Sequence, residues 1–178
     1  DTVTATNGKV DQDAGGKLWN KKAVSAGTTV DMTSTGADIQ NDSTVTAGTN
    51  LTQNAHTTLT NSDTVTATTG YVDMDAVGTI HNVEAVNAKT TVDMTSTGAA
   101  IQNDSTVTAG TNLPQNAYTT LTNTGAVEAT TGSVDMDAVG KILNSSTVMA
   151  NTAVTMDSSS NGIENKGKVT SKTSSVTM

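Results

Sequence analysis

The chain has 178 residues, 34% of them hydrophobic, with one Trp, two Tyr, no Phe and no Cys, so it lacks the large rings that fill an ordinary globular core. Nine Lys, no Arg and 17 acidic residues give a net charge of -8, which opposes binding to phosphate backbones and to anionic membrane surfaces. Without Cys there is no disulfide or thiolate metal site, and no run approaches the roughly 18 apolar residues of a membrane-spanning helix.

In chain order, the first patterned position is Val3, which has the phase of Val65 and Val127. A unit then recurs, opened by an aliphatic residue with Asn two places on: Leu18/Asn20, Ile39/Asn41, Leu59/Asn61, Ile80/Asn82, Ile101/Asn103, Leu121/Asn123, Ile142/Asn144 and Ile163/Asn165. The steps are 21, 20, 21, 21, 20, 21 and 21 residues. Six residues after each aliphatic stands Val: Val24, Val45, Val65, Val86, Val107, Val127, Val148 and Val169. Ala follows two places later in seven of the eight units, with Ser171 as the exception.

A second apolar pair closes most units, as in Val30/Met32, Val72/Met74, Val92/Met94, Val134/Met136, Val154/Met156 and Val176/Met178. Spacing of two is the strand period, and no stretch sustains the helical pattern of apolar residues three and four apart. With Gly36, Gly70, Gly98 and Gly132 at corners, each unit predicts three short strands and three turns. One such unit cannot bury its apolar side chains alone, so units stack like upon like, roughly 4.8 Å apart. The predicted fold is all-β: a parallel β-helix of eight to nine rungs in a single repeat segment covering residues 1–178. Aromatic rings do not fit every rung of its narrow interior, which accounts for the missing Phe.

A longer period is superposed. Residues 31–82 align with 93–144 at 42 of 52 identical positions. The differences, at 38, 52, 56, 62, 63, 64, 66, 71, 79 and 81, fall outward or in turns, so 62 residues make a super-repeat of three rungs. The Asn of each unit is predicted to lie inward at a corner, its amide donating to the Asn carbonyl one rung along. Such a ladder satisfies buried amides that otherwise cost about 1 to 3 kcal/mol each.

The rung signature LxNxxxVxA, followed by VxM and a Gly turn, resembles the haemagglutinin repeats of the filamentous haemagglutinin family, large exoproteins of Gram-negative two-partner secretion systems. The resemblance spans Val3 to Met178. It implies a right-handed helix, an extracellular or bacterial cell-surface location, and a stalk whose recognition or toxin domains lie elsewhere.

No constellation for catalysis emerges. Asp11/Asp13, Asp73/Asp75 and Asp135/Asp137 have a spacing that can chelate a divalent cation. They recur only every third rung, about 14 Å apart, without the glycine-rich calcium signature, and read as a solvated acidic face. His56 and His81 become Tyr118 and Leu143 in the next super-repeat, which does not suit a catalytic base. Trp19, His81 and Leu143 share one outward position and could form sparse binding spots.

Thr2/Thr4, Thr44/Thr46, Thr64/Thr66 and Thr106/Thr108 resemble the threonine arrays of ice-binding solenoids. The same positions elsewhere hold Ala23/Ser25, Ala85/Asn87, Ala126/Glu128 and Lys168/Thr170, and Thr is favoured in strands in any case. Gln53 and Gln115 fill the Met slot, and Pro114 cannot donate to a ladder, so strand pairing is expected to weaken there and at Thr52.

The expectation for function is a non-catalytic shaft segment of a secreted or surface-displayed adhesin, with no cofactor or metal. Its alternatives are a self-assembling filament subunit or an ice-binding solenoid. Its partners are neighbouring segments of the same solenoid or copies of itself, with cell surfaces reached through domains outside this chain and no nucleic acid or membrane insertion. Apolar pairs close to both ends predict an excerpt of a longer solenoid or one link of a fibre.

Overall fold

A computed structural model describes all residues, 1–178. It contains 26 short strands and no helix, arranged in three sheets. Sheet A has nine strands, from Val3–Ala5 to Val169–Ser171; sheet B has nine, from Val10–Ala14 to Val176–Thr177; sheet C has eight, from Leu18–Asn20 to Ile163–Asn165. Every pairing is parallel, and neighbours within a sheet are three strands apart along the chain. The backbone therefore winds A, B, C as a β-solenoid. Its register sets like upon like: Val24 against Val45, Ile80 against Leu59, and Val72 against Val92.

The inward alternation follows directly from the two-residue strand period. A single cluster of 38 buried apolar residues runs along the axis. Of the predicted inward aliphatics, Leu18 through Val148 are buried. Ile163 and Val169 are half-buried, because each lies on the last strand of its sheet with no strand above it.

Sheet B strands are longer than the Val/Met pairs suggest, mostly five residues. They add a third inward position, held by Ala55, Ala76, Ala117 and Ala138 or by Ser34 and Ser96.

Corner lengths explain the super-repeat. The corner from sheet C to sheet A is constant, with six residues from each opening aliphatic to the next Val. The A-to-B corner gains a residue in one rung of three, as between Ala67 and Val72, and once more out of phase between Ser171 and Val176; the B-to-C corner gains one in another rung of three, as between Ser34 and Ile39. Each insertion has its own hydrogen bonds. Asn50 Oδ1 accepts from the Tyr71 amide at 3.3 Å and Asn112 Oδ1 from the Ser133 amide at 3.1 Å. Gly70 makes room for the first of these, since a Cβ there would sit 2.0 Å from Asn50 Oδ1. At the longer B-to-C corners, Ser34, Ser96 and Ser158 donate 2.6 Å bonds to the carbonyls of Gly16, Gly78 and Gly140 in the rung before.

Pairing at Thr52 and Pro114 differs from the expectation. Thr52 lies in regular ladders on both sides, opposite Asp31 and Asp73, because its amide is intact. Around Pro114 the ladder is lost on one side only. The strand Val92–Ser96 pairs from Met94 onward, whereas Val134–Ala138 pairs along its whole length.

Close stacking of corners gives a test. A Cβ on Gly110 would lie 1.8 Å from the Lys89 carbonyl oxygen, whereas one on Gly15 meets nothing within 4 Å. Gly110→Ala is expected to destabilise the fold by about 2 kcal/mol in urea unfolding. Gly15→Ala should stay within about 0.5 kcal/mol of the parent.

Candidate functional site

The predicted Asn residues converge inside the solenoid. Asn20, Asn41, Asn61, Asn82, Asn103, Asn123 and Asn144 are buried, and Asn165 is half-buried. Each Nδ2 from Asn20 to Asn103 donates to Oδ1 of the next Asn at 2.9 Å. Strand ends hold these side chains at one offset in every rung, which is why their amides meet. Burial without such partners would cost about 1 to 3 kcal/mol per group.

Three rungs carry a second amide. Gln53 and Asn61 exchange two hydrogen bonds, at 3.1 and 3.0 Å, as do Gln12 and Asn20, and Asn123 donates to Gln115 at 3.0 Å. Elsewhere the slot holds Met, whose sulfur lies near an Asn amide, as with Asn82 and Met94 at 3.6 Å. Sequence reasoning placed Gln53 and Gln115 in the Met slot but missed this pairing. The eight-residue offset from each Gln to its Asn was the available signal.

The ladder departs from its predicted continuity between Asn123 and Asn144. Asn144 turns its Nδ2 to the Ser146 carbonyl at 2.6 Å and to Asn165 at 2.7 Å. Its own Oδ1 is left buried without a partner. Asn123 faces Gln115 and the Met136 sulfur instead.

Outside, the three faces differ. Sheet B carries nine of the 17 acidic residues on its outward positions, and no Lys lies on its strands. Parallel register stacks Asp11 on Asp31, Asp73 on Asp93, and Asp137 on Asp157. Burial, then Asp75 and Asp93, pushes Asp73 up to about 6. Burial also raises Asp75, Asp93 and Asp137, with neighbouring carboxylates adding to it for the last two. No three His, Asp or Glu side chains converge as a metal site.

On sheet C, Trp19 donates to Asp42 at 2.7 Å, with the Lys21 ammonium 3.9 Å from its ring centre. One super-repeat later, His81 Nε2 lies 2.7 Å from Asp104. This Asp partner, 23 residues ahead, escaped a search for neighbours along the sequence. His81 holds Asp104 below the usual carboxylate range, as Trp19 holds Asp42. Lys141 and then Lys166 lower Glu164 to about 2. His56 lies on a B-to-C corner, off the sheet C strands that carry His81 and its neighbours.

Sheet A carries one charged residue on its strands, Glu128. Its outward column reads Thr4, Ser25, Thr46, Thr66, Asn87, Thr108, Glu128, Met149 and Thr170. At the corner that follows, two residues past each inward Ala or Ser, Thr stands in eight consecutive rungs, from Thr28 to Thr173.

Interior amides are expected to dominate stability over outward groups. Asn61→Ala strands Gln53 and Asn41, and should cost about 3 kcal/mol or more in guanidinium unfolding. Asn165→Ala, half-buried on a terminal strand, should cost about 1 kcal/mol or less.

No protein-family model, curated protein or solved structure matches this chain.

Proposed function

We propose that this chain is a shaft segment of a secreted or surface-displayed bacterial exoprotein, a rigid spacer without catalytic activity. The observation that carries the reading is one continuous core, with apolar positions stacked along the solenoid and Asn side chains joined from Asn20 to Asn123. Such a body supplies length and stiffness at about 4.8 Å per rung, or about 40 Å for this chain. The likeness of its rungs to filamentous haemagglutinin repeats supports the same role and an extracellular setting.

A spacer is tested by changing its length. Removing residues 31–92, one super-repeat of 62 residues, should shorten the particle by about 14 Å in small-angle X-ray scattering, with cooperative unfolding retained. A defined hydrolytic activity of the purified chain, or collapse of the shortened one, would overturn the reading.

The corner threonines favour a second reading, an ice-binding face, because their column is unbroken over eight rungs. Against it, Thr69, Thr131 and Thr173 turn their hydroxyls to carbonyls of the rung before. Thermal hysteresis in a freezing assay would establish this reading over the shaft, and its absence would remove it.

A further inference from the structure

We propose that the stacked carboxylates of sheet B make the solenoid an acid-strengthened element, most stable in mildly acidic solution and loosened at neutral pH.

The geometry lies in the central super-repeat. Asp73 and Asp93 are register partners on adjacent strands, which places them about 4.8 Å apart, and Asp75 shares their face two residues on. The strand before presents Thr52 and Asn54. The strand after brings Asn116 and, at the interrupted position, Pro114. From the corners come Tyr71, Thr90 and Thr91. Lys89, at the corner leading into the Asp93 strand, makes no ion pair with any of the three carboxylates. Three like charges, half-buried at Asp73 and Asp93 and exposed at Asp75, therefore share one surface without a counterion, an arrangement that disfavours ionisation.

A built-in control sits one super-repeat earlier. Asp11, Asp13 and Asp31 occupy the same positions, but Lys9 lies 2.7 Å from Asp11 and also feels Asp13 and Asp31. Tyr71 takes the place of Lys9 in the next copy, directly before the strand Val72–Ala76. The two clusters thus differ in this cation and in burial, since Asp11 lies exposed on the first strand of its sheet and Asp73 is half-buried between two strands.

The sign follows from proton counting. An Asp raised from 3.8 to about 6 in the folded chain keeps its proton where the unfolded chain has lost it. Folding then binds protons between those values, so stability falls as pH rises through the window and levels off above it. Asp93 and Asp137 act in the same direction. Asp38, Asp42, Asp104 and Glu164 act oppositely, since their depressed values hold stability that is lost only in stronger acid. Together they place the stability maximum at about pH 4 to 5, below the usual range.

The test is thermal unfolding of the full chain at pH 5 and pH 7.5, with urea midpoints as a second measure. The parent is expected to melt about 3 °C higher at pH 5. Asp73→Asn should remove most of that difference by raising Tm at pH 7.5. Tyr71→Lys, at an exposed corner, should do the same by supplying the missing cation. Asp31→Asn, in the compensated cluster, should leave the difference intact. A parent whose Tm is equal or lower at pH 5 overturns the proposal. So does an undiminished difference in Tyr71→Lys, or a loss in Asp31→Asn as large as in Asp73→Asn.

Discussion

Each strand residue of the inner rungs has its own counterpart about 4.8 Å above and below it, and this forced proximity of like with like governs the rest of the structure. Facing inward, the constraint is favourable. Aliphatic side chains pack on aliphatic side chains, and primary amides, which carry both donor and acceptor, satisfy one another. Facing outward, it is unfavourable for charge, because a carboxylate repeated in the next rung meets a copy of itself. The Asn column and the Asp73–Asp93 step are two outcomes of the same geometry. Amides complement themselves, and carboxylates do so only when protonated.

The super-repeat is a second-order solution to that constraint. Identical rungs would place every corner on an identical corner, yet the A-to-B and B-to-C corners each admit one extra residue in different rungs. The longer corners are tied to the rung before, where Asn50 or Asn112 accepts from the corner after Ala67 or Ala129, and where Ser34, Ser96 or Ser158 of the longer corner itself donates to a carbonyl. Those ties recur at the super-repeat interval. The C-to-A corner, which never varies, needs none of them.

The fold was legible because its signal is local. Alternation within short strands and a fixed offset from aliphatic to Val define the rungs, and the Asn column follows at a constant offset. The remainder runs between different offsets of neighbouring rungs, which a reading along the chain does not connect. His81 meets Asp104, Ser34 meets Gly16, and Asp93 stacks on Asp73 rather than on its own neighbours in sequence. The acidic face was read as pairs along a strand, whereas its energetics lie across strands. Thr52 was misjudged because it was treated as the equivalent of Pro114, although it retains its amide.

From Asn20 to Asn103 every ladder bond is donated toward the higher-numbered rung. The amide dipoles inside the wall therefore point one way, and hydrogen bonds aligned in series polarise one another. The interior is thus vectorial. Pulling or pushing along the axis acts on a directed chain of dipoles rather than on a symmetric stack. The first place where that chain is interrupted is the step from Asn123 to Asn144, where the buried Asn144 oxygen receives no bond. At that step the two rungs are joined by complete backbone ladders in all three sheets but by no Asn–Asn bond.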